Sequence, residues 1–164
     1  YYVKTIGRLW GIETVCLRVF NAYGPGQHLP PVHAPVLLNF LRQALQNGTL
    51  VIHGDGTQTR DYVYVDDVVQ AMIAASTAPG VDQMTINVGS GVEISVRDLV
   101  KVVISVTGSE PELVYNPRSD GGPARMCADL RRAASLLNYR PSISLESGLR
   151  LTLERDPRLR SRNG

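Results

Sequence analysis

The sequence predicts an α/β protein built on a largely parallel sheet. Short β-branched and apolar runs alternate with runs whose apolar residues recur at helical spacing. The strand runs are apolar on both faces, as in sheets covered by helices on two sides. Glycine, proline or asparagine marks nearly every join. No internal repeat, low-complexity block or linker divides the 164 residues, so they form one body with a single core.

The elements follow in order. Tyr1 to Trp10 reads as the end of a helix stopped by Gly11. Glu13 to Phe20 (ETVCLRVF) reads as a buried strand, and Asn21 to Pro31, with two glycines and three prolines, as a loop. His33 to Gln46 places Val36, Leu37, Phe40, Leu41, Ala44 and Leu45 on one helical face, with Asn47-Gly48 as its stop. Leu50 to His53 is a short strand, Gly54-Asp55-Gly56 a turn, and Arg60 to Val65 an alternating second strand.

Asp66-Asp67 then starts a helix to about Ala78, its carboxylates serving as caps. Met84 to Val88 is a buried strand and Gly89-Ser90-Gly91 a turn. Ser95 and Asp98 form a capping-box-like start to a helix ending near Thr107-Gly108. Glu112 to Tyr115 is a strand, Asn116 to Pro123 a loop, Asp129 caps a helix to about Asn138, and Ser144 caps the last helix, Leu145 to about Glu154. The tail from Arg155 to Gly164 has four arginines, a proline and no large apolar face, and is expected to be a frayed, disordered, solvated end.

Composition excludes several classes. At 43% apolar the chain is neither disordered nor membrane-spanning, and its longest apolar runs are far too short for a bilayer. A net charge of +2 argues against a nucleic-acid binder driven by bulk charge. Two cysteines, Cys16 and Cys127, make neither a disulfide framework nor a metal cluster, which fits a reducing, cytoplasmic setting. His28, His33 and His53 lack ligand-like spacing, so no metal is expected. The first residue is not Met and no signal peptide follows, so the chain is expected to start inside a domain.

Neither Gly-x-Gly pair completes a nucleotide fingerprint. Ile94 stands where the Gly89-Ser90-Gly91 turn needs a third glycine, and Thr59 does the same after Gly54 and Gly56. Arginines are more informative, since fifteen of the seventeen basic residues are Arg and a guanidinium forks well onto phosphate. Arg60 opens a strand after a turn, while Arg118 and Arg125 flank the Ser119 to Gly122 loop, so two or three of these arginines could converge on one diphosphate.

Three strings carry a family resemblance: Arg18-Val19-Phe20-Asn21-Ala22-Tyr23-Gly24-Pro25-Gly26, Gly54 to Asp67 (GDGTQTRDYVYVDD), and Asn87-Val88-Gly89-Ser90-Gly91. With Ala128-Asp129-Leu130, Leu137 to Pro141 and Ser144 to Leu149, the chain up to about Glu154 resembles the extended short-chain dehydrogenase/reductases, nearest to the nucleotide-sugar epimerases and dehydratases.

The resemblance implies that residues 1–154 are the C-terminal portion of such an enzyme. They would supply the last strands of a Rossmann-type parallel sheet plus a smaller substrate-binding α/β subdomain, the NAD-binding N-terminal half being absent. It implies a catalytic Tyr-x-x-x-Lys pair upstream of Tyr1. Tyr1 and Lys4 stand three apart instead of four, so no catalytic role passes to them. Asn21 would hydrogen-bond the nucleotide-sugar diphosphate, Phe20 would meet NAD through its backbone, Val51, Ile52 and His53 would wall the base and ribose, and Arg60 would grip phosphate.

Many epimerases carry Arg-x-Gly-Asp in the last loop. Here Ser119 and Gly122 occupy the Arg and Asp places, leaving Arg118 and Arg125 as alternatives for the phosphate charge. The implied activity is a UDP-sugar 4-epimerase working through a 4-keto intermediate in a homodimer, with this chain alone inactive. A 4,6-dehydratase or a nucleotide-sugar decarboxylase is the alternative within the family, and a non-catalytic nucleotide-sugar-binding module the alternative outside it.

Overall fold

The computed structural model describes residues 2–28, 35–117 and 122–159. Among the described residues six helices and eight short strands alternate, and three of the four strand pairs are parallel, as the alternation predicts. Val15–Val19 (β1) pairs with Met84–Val88 (β6), Asn21–Tyr23 (β2) with Tyr62–Tyr64 (β5), and Thr49–His53 (β3) with Glu112–Asn116 (β8). The fourth pair, Thr59–Arg60 (β4) with Ile94–Ser95 (β7), is antiparallel.

Helix Tyr2–Trp10 (α1) ends at Gly11, whose φ of +64° suits a residue without Cβ. Val36–Leu45 (α2) begins just after residues outside the description, and it buries Leu37, Leu38, Phe40, Leu41 and Ala44. Val96–Thr107 (α4) has the expected capping box. Ser95 Oγ accepts the Asp98 N–H at 3.0 Å and bonds the Asp98 carboxylate at 2.6 Å. Gly108 closes it in the left-handed region, its N–H donating to Ile104. Ser144 caps Leu145–Arg155 (α6) through the Ser147 N–H.

Two apolar cores result, in place of the single core expected. One joins α2, α4 and α6 to β3, while the other joins Val65–Thr77 (α3) and Arg131–Leu137 (α5) to the β1–β6 pair. Strand β5 serves both: Tyr62 and Tyr64 enter the first core and Val63 the second, because successive side chains leave a strand on opposite faces. All three are buried.

Several expectations are corrected. Asn21 to Tyr23 is strand rather than loop, because it pairs with β5. Arg60 to Val65 is not one alternating strand: Asp61 breaks it, with β4 turning to β7 and β5 to β2. Strand β1 is not buried along its length, since Arg18 and Val19 are exposed, and among the described residues β1 has one strand partner.

The two aspartates do not cap α3. Asp66 pairs with Arg155 at 3.0 Å, and buried Asp67 reaches across to the Ser142 N–H and hydroxyl and the Ile143 N–H. Asp129 lies one residue ahead of Leu130, the N-cap of α5, yet still accepts the Arg131 N–H at 3.0 Å. Residues 155–159 of the tail are packed rather than frayed: Arg155 ends α6, Asp156 is 1% exposed, and Leu159 joins the first core. The remaining tail residues, 160–164, lie outside the described residues.

Candidate functional site

The site grows from Asp61, the residue that breaks the strand. Its carboxylate is fully buried and accepts four hydrogen bonds: from the Ser90 N–H (2.6 Å), the Ser90 hydroxyl (2.8 Å), the Gly91 N–H (3.0 Å) and the Ala128 N–H (3.0 Å). A buried carboxylate is costly unless its lone pairs are met, and here neighbouring chain meets them. Its carbonyl accepts both the backbone N–H and the side-chain Nδ2–H of Asn21, each at 3.1 Å. The β2–β5 register, Asn21 opposite Tyr62, places the two together.

Segment 122–128 then runs across the strand openings. The Thr59 N–H donates to Ala124, and Arg60 Nη1 donates to the Thr59 and Pro123 carbonyls, each at 2.7 Å. Arg60 also lies against Gly122, where a Cβ would come within 3.3 Å of Nη2. Met126 Sδ sits 4.0 Å from Asn21 Nδ2, and Cys127 Sγ 3.9 Å from the Asp61 carboxylate. Asn21, Arg60 and segment 122–128 therefore form one constellation assembled around Asp61.

The other expected residues divide. Arg125 is exposed and forks onto Glu93, with contacts of 2.5, 3.1 and 3.2 Å, which lowers the Glu93 pKa and raises that of Arg125. Arg118 and Ser119 lie outside the described residues. The Phe20 N–H donates to Val88 and its carbonyl accepts from Ala22, so both backbone groups have internal partners. Val51 and His53 are exposed on β3, but Ile52 is 1% exposed and points into the core. Strand alternation turns the Val51 and His53 side chains to the surface and the Ile52 side chain inward.

The Gly89-Ser90-Gly91 turn does not fit a dinucleotide pyrophosphate, because Asp61 already takes the Ser90 and Gly91 amides. It is held further by the Tyr139 hydroxyl, which donates to the Gly89 carbonyl at 2.9 Å. The Cys127 thiol is not activated: burial, and then the Asp61 charge, raise its pKa. Among the described residues no group of three or more His, Cys, Asp or Glu could hold a metal. A cleft of about 480 Å³ lies on the β1–β6 pair beside Arg18, Asn87 and Arg132. There Arg131 holds the Asp129 carboxyl down at about 2.

Asp61 was missed as a site residue. The signal available was a carboxylate interrupting an otherwise strand-forming run directly after Arg60.

A family model described as the NAD dependent epimerase/dehydratase family matches residues 1–89. A putative UDP-glucose 4-epimerase of Methanocaldococcus jannaschii is 36% identical over 91% of this chain and 47% of its own length. UDP-glucuronic acid decarboxylase 1 of Xenopus tropicalis is 32% identical over 87% of this chain and 33% of its own. The crystal structure of a UDP-glucose 4-epimerase with UDP-glucose from Thermotoga maritima superposes with a TM-score of 0.85 at 37% identity, covering 94% of this chain and 49% of that one. The chain thus spans about half the length, or less, of the relatives it matches. No helix among the described residues is long and apolar enough to cross a membrane.

Proposed function

The chain belongs to the NAD-dependent epimerase/dehydratase family, and we propose that its part in such an enzyme is to hold the diphosphate of a nucleotide sugar. For the parent protein the proposed reaction is 4-epimerisation of a UDP-sugar through a 4-keto intermediate. The supporting observation is the convergence of Asn21, Arg60 and segment 122–128 on the Asp61 hub.

Arg60 brings a guanidinium anchored through Nη1 on two carbonyls, so little rotamer freedom is lost when it meets a phosphate. Asn21 brings an amide already oriented by the Asp61 carbonyl. Binding at the diphosphate fixes the handle of the substrate while the sugar stays free to turn, a positioning role. Val51 and His53 on β3 are the proposed wall against base and ribose. Arg125 would assist only on leaving Glu93.

NAD is the family's cofactor and supplies hydride chemistry. The described residues offer no pyrophosphate cradle for it, so no chemical step is assigned to this chain. The dinucleotide site and the Tyr-x-x-x-Lys pair are proposed to lie in sequence outside these 164 residues. Exposed Tyr2, Ile6, Leu9 and Trp10 on α1 support the proposal that the parent pairs as a homodimer, and a cytoplasmic setting is proposed on the two free cysteines, Cys16 and Cys127.

The parent protein supplied with UDP-glucose should form UDP-galactose without net loss of carbon. Carbon dioxide from UDP-glucuronic acid, without 4-epimerisation, would assign the decarboxylase reaction that one relative's name carries. Binding without any turnover would leave a non-catalytic module.

A further inference from the structure

The tail expected to be frayed is instead fastened onto the loop that follows the Asn21 strand. Asp156, 1% exposed, accepts the Gly26 N–H at 2.9 Å from 130 residues away in sequence. The same carboxylate is gripped by Arg158, through its N–H at 3.0 Å, Nε at 2.9 Å and Nη2 at 2.6 Å. Arg158 Nη2 continues to the Gln27 carbonyl at 2.9 Å.

Leu159 anchors the strap in the first core, and Arg155 ties its start to Asp66. The loop is also held from below, because the Tyr23 hydroxyl donates to the Leu145 carbonyl of α6. Gln27 reaches back to the Ala22 carbonyl, next to Asn21. Between these contacts lies a hollow of about 300 Å³ lined by Ala22, Tyr23, the Gly24–Gln27 loop and Val65.

We propose that Asp156 is a positioning residue: with Arg158 it fixes the Gly24–Gln27 loop against the Asn21 site, and so sets the affinity of that site for its ligand. The affinity part rests on the proposed nucleotide-sugar function, while the loop-fixing part stands on geometry alone. Gly26 has φ +78° and no neighbour within 4 Å of where a Cβ would be. Its amide finds its acceptor in Asp156, far away in sequence.

The test compares the 164-residue chain with Asp156→Ala and with Arg158→Gln, the second removing only half-exposed groups so that folding is kept. Amide exchange is read at Gly26 and, as a control, at Leu99 and Ile86 in the two cores. UDP-glucose affinity is read by titration calorimetry. In Asp156→Ala the Gly26 amide should exchange about tenfold faster or more, with the core amides unchanged, and in both variants UDP-glucose should bind about tenfold more weakly. Asp156→Glu should restore both.

Unchanged Gly26 exchange in Asp156→Ala, or loss of protection spread equally over the cores, would overturn the loop-fixing role. Unchanged affinity in a variant whose loop has loosened would overturn the link to the site. If the unaltered chain and the parent protein both fail to bind UDP-glucose, the nucleotide-sugar function falls, and the exchange data alone decide what Asp156 does.

Discussion

The backbone carbonyl of Asp61 accepts two hydrogen bonds from Asn21, one from its main-chain N–H and one from its side-chain Nδ2–H, both at 3.1 Å. The side chain of Asp61 at the same time holds the Ser90-Gly91 turn and Ala128. One residue thus links the strand that bears the expected diphosphate ligand to two segments far from it in sequence.

Asp61→Ala should therefore be among the most disruptive substitutions in the chain. It orphans three buried or part-buried N–H groups, and a cost of about 3 kcal/mol or more is expected. Chemical denaturation measures it directly, and a cost below about 1 kcal/mol would show that water replaces the carboxylate without loss.

Gly89→Ala should destabilise for a steric reason. A Cβ there would lie 2.6 Å from the Ala128 Cβ and 2.7 Å from the Asp61 carboxylate. Neither neighbour is the free end of a flexible side chain, so overpacking of about 2 kcal/mol is expected in the same denaturation measurement.

Arg60→Ala should weaken nucleotide-sugar binding by about 2 kcal/mol, roughly thirtyfold, by leaving a charge-assisted phosphate contact unmade. Arg60→Lys should not restore it, since an ammonium cannot hold both carbonyls and fork onto phosphate. Arg125→Ala should have a smaller effect, because Glu93 already occupies that guanidinium. Equal losses for Arg60→Ala and Arg125→Ala by calorimetry would contradict this ranking.

The strap carries a pH signature. Bonds from Arg158, and the Gly26 N–H, hold the Asp156 carboxyl below its ordinary 3.8. A depressed folded pKa contributes stability that is fully present above that ordinary value and is lost as pH falls through the folded one. The Tm difference between the chain and Asp156→Ala should be constant from neutral pH down to about pH 5, and shrink progressively below the carboxylate range. A difference that grows on acidification would contradict the assignment.

Much of the fold was legible because local chemistry decided it. Ser95 with Asp98, Gly11, Gly108 and Ser144 act at the helix ends where their types are useful. What stayed hidden depends on partners distant in sequence. Asp66 and Asp67 look like caps, yet each turns to a partner about 75 to 89 residues away. Asp156 looks like part of a polar tail until Gly26 is seen beside it. Within the site, Asn21 and Arg60 could be named from motif and type, but Asp61 could not, since its role lies in groups from positions 21, 90, 91 and 128 that no local window contains. The inward turn of Ile52 was legible, because it shares strand alternation with Leu50.

Asn21 and Arg60 are proposed to hold the diphosphate of a nucleotide sugar. The most direct measurement is a titration of the isotope-labelled 164-residue chain with UDP-glucose, followed by backbone and side-chain amide resonances. Saturable shifts centred on Asn21, Arg60 and residues 122–128, lost in Arg60→Ala while the fold is kept, are the predicted result. Shifts elsewhere, or none at millimolar nucleotide sugar, would contradict it.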